Sequence, residues 1–416
     1  MTDDFIIIEG EITAARHKTG MLFFYTVYIP KELTGEAALI VDHDGINKEN
    51  CAALLTLARE GKAPYTVGIG ISPAVLRMKD GTVRFLRMNS YDLFDREYGD
   101  FIVDELIPHT ASEYGITFSS DPGKHIVSGA SSGGVSAMTV AWFHPDYFRR
   151  VYLSSPSFLA MGRGCDLPYL IRKHETKPLR VYMEWSENEP NDYFGSSFAV
   201  ACDADKAFRF AGYDYRGKYF PGESHISRYH DESEAYSRFA WLLDARETEY
   251  SYSPRVREVI PFGETWERCT AFPKMRTVVR DGYDTAVMSA DHNMIYAANR
   301  DSAEVYSFAV GTGNRYVHYY LHTLPGKKAA VLSLAVDEQD RLYVLTGDDI
   351  QCVRTFGLSD AILDLPGGAN PTAIAFGEED RNMLYLKTED GIYRRRMLVP
   401  GATDAKTKRK HIDYYD

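Results

Sequence analysis

Apolar and polar positions divide the chain into two textures. Residues 1 to 36 alternate, and "FFYTVYIP" within them predicts a β-rich entry that ends at a proline. From about residue 37, short apolar runs alternate with stretches of helical period. "AALIVDHDG" predicts a buried strand running into a turn, "NKENCAALLTLAREG" a helix closed by Gly61, and "YTVGIGI" the next strand. "YGDFIVDELIPHTASEYG" carries the 3.6-residue period of one amphipathic helix. After it come strand "KHIVSGA", helix "GGVSAMTVAWF", strands "RRVYLSS" and "LRVYMEW", helix "SSFAVACDADKAFRFAG", strand "YDYRGKYF" and helix "ESEAYSRFAWLLDA". This β-α alternation predicts an α/β domain, a mostly parallel sheet with helices on both faces. It runs out near residue 247.

The following stretch, "RETEYSYSPRVREVIPFGETW", is polar with two prolines and reads as a linker or cover segment. No helical pattern follows it. Three stretches, beginning at residues 289, 335 and 375, each have an acidic turn, an apolar strand with a central tyrosine, then a second turn and strand. The tyrosines, Tyr296, Tyr343 and Tyr385, are 47 and 42 residues apart. That period fits the four-stranded blade of a β-propeller, and the length allows about three blades. The expected organisation is an α/β domain over 1–247, a linker over 248–275 and an all-β partial propeller over 276–416.

A formal net charge of -12 argues against a broad nucleic-acid surface, which needs a basic face. The basic run "KTKRK", residues 406 to 410, reads as a solvated tail. The five cysteines are widely spaced, without a C-x-x-C, so they read as reduced thiols rather than a disulfide framework or zinc site. "MTDDFIIIEGEITA" lacks the positive charge of a secretory signal. No apolar window reaches the roughly 18 residues of a membrane span. A cytoplasmic protein is expected.

The chemistry centres on "HIVSGASSGGVSAM", residues 125 to 138. "GASSG" fits G-x-S-x-G, with an apolar strand before it and a helix after it, the setting of a nucleophile elbow. Small neighbours are needed because such a serine sits in strained backbone at a sharp turn. Ser131 is the candidate nucleophile. The amide of Ser132, at the helix N-terminus, is placed to donate to an oxyanion. The second donor is expected in the turn after "ALIVDHDG", from Gly45 or Ile46. Asp42, His43 and Asp44 look like a ligand triad, but alternate strand residues face opposite ways, and a turn is the better reading.

In this fold the base follows the acid along the chain. His144 is too near the elbow, and His174, in "IRKHETK", reads as solvated. His225, in "FPGESHISRYH" after the last strand, is the expected base, with His230 as fallback. The acid belongs in the loop after "LRVYMEW", where Glu187, Glu189 and Asp192 all stand. Spacing alone does not choose among them.

These residues resemble the esterase family that includes enterochelin, feruloyl and acetylxylan esterases. The likeness spans about residues 20 to 245 and takes in "DHDG", "RMNSYDLFDREYGDFIVDELIP", the elbow, the acid loop and the histidine loop. It implies an α/β-hydrolase fold, no cofactor, and Glu189 as the acid. The family's R-x-x-E-Y-D segment corresponds to "RMNSYD", with Ser90 at the Glu position, and implies a substrate-binding role for Arg87, Tyr91 and Asp92. The C-terminal part looks like half of a gluconolactonase-like propeller. Leu332 and Asp284 stand where that family has metal ligands, which implies no metal site and a scaffold role.

The expected activity is serine hydrolysis of a small ester, of acylated-sugar, aryl or siderophore type. The alternatives are a non-catalytic sugar- or metabolite-binding protein, and, less favoured, a metal-dependent lactonase in the propeller. Three blades per chain also suggest a homodimer that closes a six-bladed ring about a twofold axis.

Overall fold

The inner parallel strands are apolar almost throughout, and the helices that cover them bury one face or, over residues 132–143, nearly every residue; this is what layers the first half of the chain. The computed structural model describes residues 2–159, 163–227, 229, 231–244, 262–323 and 327–406. His230 and residues 407–410 of the basic run lie outside these. The chain forms two compact units, one of Met1–Arg172 with Thr176–Ser251 and one of Lys173–Glu175 with Tyr252–Asp416.

In the first unit the strands are β1 (Phe5–Thr13), β2 (Leu22–Pro30), β3 (Ala38–His43), β4 (Thr66–Ile71), β5 (Val75–Arg77), β6 (Val83–Phe85), β7 (His125–Ala130), β8 (Arg150–Ser154), β9 (Arg180–Asn188), the short pair β10 (Asn191–Asp192) and β11 (Gly195–Ser196), and β12 (Asp214–Ser224). The helices are α1 (Lys48–Arg59), α2 (Arg87–Ser90), α3 (Glu97–Phe101), α4 (Ile107–Tyr114), α5 (Ser132–Phe143), α6 (Leu167–Lys173), α7 (Ser197–Ala211) and α8 (Glu232–Leu242). Ten strands share one sheet, with β12-β9-β8-β7-β3-β4-β2 as its spine. From β12 to β4 every pairing is parallel. β1, β2, β5 and β6 add an antiparallel edge. β3, β4 and β7 are buried along their whole length, as parallel strands covered on both faces must be. The helix expected over 98–115 is interrupted: α3 and α4 are separated by one wider turn, Ile102–Leu106. Pro108 has no amide to donate, which breaks the regular ladder there.

The second unit holds β13 (Glu267–Cys269), β14 (Thr285–Met288), β15 (Met294–Ala298), β16 (Glu304–Ala309), β17 (Arg315–Tyr320), β18 (Ser333–Val336), β19 (Leu342–Leu345), β20 (Asp349–Val353), β21 (Ser359–Asp364), β22 (Pro371–Phe376), β23 (Met383–Thr388) and β24 (Ile392–Arg396). They form three four-stranded antiparallel sheets, β14-β15-β16-β17, β18-β19-β20-β21 and β13-β24-β23-β22. Tyr296 and Tyr343, two of the three repeating tyrosines, are buried in the packing between sheets. β13 falls inside the segment expected to be linker. Its polar sequence, "ERC", suits an outer edge that pairs only with β24. His174, expected in water, is buried instead and stacks on His322 at 3.9 Å.

Candidate active site

β7 ends at Ala130 and α5 begins at Ser132, so Ser131 alone makes the turn. Its backbone is at φ 55°, ψ −123°. A residue with a side chain rarely adopts this, and the strain survives only where the surroundings enforce it. Ser131 donates its amide to the Ser154 carbonyl (2.9 Å), which ties the turn to β8. Of the flanking glycines, Gly129 is sterically required and Gly133 is tightly packed. A Cβ on Gly129 would lie 2.3 Å from the Gly133 oxygen, and one on Gly133 would lie 3.0 Å from the His43 Cβ. The Ser131 hydroxyl is 3.0 Å from that of Ser157.

Strand register brings the other two groups together. β9 and β12 are parallel neighbours, and across a bulge Ser224 pairs with Asn188. The next residue on each strand is His225 and Glu189. His225 Nδ1 and Glu189 Oε2 are hydrogen-bonded. The other carboxylate oxygen, Oε1, accepts the Ser155 hydroxyl (2.6 Å) and the Ser186 amide (2.9 Å). Burial pushes the Glu189 carboxyl up, but the hydrogen bonds from His225, Ser155 and Ser186 outweigh it and hold the group below its ordinary value. Glu187 instead accepts the Gly222 amide (2.7 Å), and Asp192 accepts the Phe194 amide (2.9 Å) in an exposed turn. Geometry thus separates three acids that spacing left level.

The far side of the elbow corrects two expectations. Gly45 does not offer a free amide: it donates to the Ile71 carbonyl (3.2 Å), as does Asp44 (2.9 Å). The Ile46 nitrogen packs against Gly70, 2.1 Å from where a Cβ would stand, so only glycine fits opposite this turn. Ser132 is the first residue of α5, and its amide is among those a helix leaves unbonded at its start. Tyr91 is fully buried and cannot line a pocket. Its hydroxyl donates to the Ile71 carbonyl (2.7 Å) and accepts the Asp44 amide (3.0 Å), so it shapes the 44–46 turn. Asp92 is also buried. Desolvation raises its carboxyl, against a hydrogen bond from the Ser132 side chain. Arg87 is the half-buried member of the trio, paired through both terminal nitrogens with Asp44.

Below the site runs a buried polar network that the sequence did not announce. The Tyr229 hydroxyl donates to Asp42 (2.9 Å), and Asn47 donates to the Tyr229 carbonyl (2.8 Å), so the histidine loop is fastened to β3 and α1. Arg238 has no exposure. It pairs with Glu184 (3.2 Å) and lies 3.7 Å over the Tyr152 ring. His144 pairs with Asp100 at the end of α5 and stays out of the site.

Residues 47–200 match the model of the family described as "Putative esterase". No curated protein matches the chain. Solved structures similar to it include a ferulic acid esterase, at 13% identity over 58% of this chain and 98% of that one, with TM-score 0.45. A siderophore hydrolase from Aspergillus nidulans is 15% identical over 57% and 94%, with TM-score 0.42. A ferric enterobactin esterase from Salmonella typhimurium is 14% identical over 57% and 58%, with TM-score 0.43. The matched family segment supports a carboxylic ester hydrolase. It contains Ser131 and Glu189 and stops short of His225.

Proposed function

We propose that the first unit is a serine esterase in which Ser131 attacks the acyl carbon of a small ester. His225 takes the hydroxyl proton and returns it to the leaving alcohol, then activates water to release the acid. Glu189 fixes the imidazole with Nε2 facing the serine and stabilises the imidazolium. The amides of Ser132 and Ile46 receive the oxyanion, each worth roughly 3 kcal/mol of barrier. No cofactor enters this scheme. The observation that carries it is the strained Ser131 at φ 55°, just past the end of β7, in the same sheet whose strands β9 and β12 end at the Glu189–His225 pair.

Among acylated-sugar, aryl and siderophore-type esters, an aryl group finds support in the turn that follows Glu189, where Tyr193 is 90% exposed and its ring lies 4.1 Å from that of Phe194. Arg87 supplies a cation for an acidic substituent. One observation favours the non-catalytic reading: the Ser131 hydroxyl is engaged with Ser157. Catalytic hydrogen bonds often tighten only when substrate binds.

For the second unit we propose three propeller-type blades, a reading supported by the three four-stranded sheets and by β13, which completes the last of them. Two chains joined about a twofold axis would close six such sheets into a ring. Sedimentation at micromolar concentration tests this: a dimer agrees and a monomer contradicts it.

The decisive test of the esterase is hydrolysis of short-chain p-nitrophenyl esters by wild type and Ser131→Ala, with EDTA in both. Activity lost on substitution supports serine catalysis. Activity that survives would place the chemistry elsewhere.

A further inference from the structure

We infer that Ser155 is a positioning residue of the Ser131–His225–Glu189 site, a single hydroxyl that joins the acid to the backbone of the base. The inference rests on the esterase reading above.

Ser155 follows β8 directly and is buried. Its amide donates to the Glu184 carbonyl (2.7 Å), which anchors it to β9. Its hydroxyl donates to Glu189 Oε1 (2.6 Å) and accepts the amide of Ile226 (3.3 Å), the residue after His225. With Oε1 taken by Ser155 and Ser186, the carboxylate is rotated so that Oε2 meets Nδ1 of His225.

Both ends of this bridge are strained. Ser155 sits at φ 43° and Ile226 at φ 53°. A β-branched residue in left-handed backbone is an outlier that needs an external restraint. Two restraints on the Ile226 turn are its amide bond to Ser155 and its carbonyl, which accepts the Tyr229 amide (3.0 Å). Without the Ser155 oxygen, the Ile226 amide loses its partner, the turn is free to relax, and the imidazole moves relative to Glu189. Displacements of about 1 Å in such a site cost on the order of 100-fold in rate.

A hydroxyl that merely fills a tight turn behaves differently. At positive φ glycine relieves backbone strain and offsets part of the cost of the lost hydroxyl bonds, so Ser155→Gly should fold more stably than Ser155→Ala. The experiment measures kcat and KM for p-nitrophenyl acetate in the full chain, for wild type, Ser155→Gly and Ser155→Ala. Thermal melts are run alongside, and so are proton spectra of the downfield Nδ1–H resonance, identified by its loss in Glu189→Gln. The positioning role predicts a melting temperature for Ser155→Gly above that of Ser155→Ala, kcat lower by about 10- to 100-fold in both variants, and KM within about threefold. It also predicts a downfield resonance that is shifted or lost. Wild-type kcat and an unchanged resonance in Ser155→Gly would overturn the positioning role and leave the esterase standing. Absence of any Ser131-dependent hydrolysis in wild type would overturn both.

Discussion

Each unit joins a histidine to a glutamate, with a serine candidate at hand, and only the pair in the first unit fits the proposed catalysis. In the second unit His322 Nδ1 bonds Glu175 (2.6 Å) and its Nε2 bonds the Ser359 hydroxyl (3.0 Å). By distances alone this is the tidier chain, because the Ser131 hydroxyl is turned to Ser157. Yet the His322 side chain is 3% exposed, against 24% for His225. His174 stacks against it, and Ser359 is a buried strand residue paired with Val353. Among the described residues no helix begins beside Ser359, so they offer no unbonded helix amides for an oxyanion. The first row has what the second lacks: a strained turn that presents the hydroxyl, a helix N-terminus behind it, and solvent access. Three polar atoms in sequence are a hydrogen-bond network, and catalysis needs the surroundings as well.

Substitutions can break this contrast. Ser131→Ala should lower ester hydrolysis by on the order of 10⁴-fold or more, while Ser359→Ala should leave kcat/KM within about twofold, in p-nitrophenyl ester assays. Glu189→Gln should cost about 10³- to 10⁴-fold in kcat, whereas Glu187→Gln and Asp192→Asn should stay within about threefold. His322→Phe removes a partner from the buried Glu175 carboxylate. It should destabilise the second unit by about 3 kcal/mol in urea melts with no change in kcat.

A further effect on stability, of similar size, concerns pH. Burial, opposed by a bond to the Ser128 carbonyl and the charge of Asp44, pushes the His43 imidazole down from 6.5 to about 4. The unfolded chain therefore takes up this proton at higher pH than the native one. The stability tied to it is full above pH 6.5 and is lost as pH falls toward 4, by about 3 kcal/mol in all. Urea midpoints between pH 7.5 and 4.5 should show this slope, and His43→Asn should flatten it.

Much of the catalytic row is legible in the sequence because its constraints are local. Gly129 precedes Ser131 for a steric reason that acts within four residues, the approach of the Gly133 backbone. The acid is not local: Glu189 differs from Glu187 only through the Ser224–Asn188 register across a bulge, which spacing does not reveal. Ser155 ends a stretch, "RRVYLSS", that reads as plain strand. Arg238 lies on the buried face of α8 with Ala235, Phe239 and Leu242, and Glu184 and Tyr152 on neighbouring strands explain how a charge is held there. β13 was hidden because an outer edge strand can be polar on both faces. Gly45 and Tyr91 matched a motif, and the structure uses both to build the turn.

The contrast between the two serines is tested most directly by treating the intact chain with a fluorophosphonate and mapping the adduct by peptide mass spectrometry. One equivalent is expected on Ser131, none on Ser359, and no adduct in Ser131→Ala. Labelling of Ser359, or a wild-type chain that takes up no label, would contradict it.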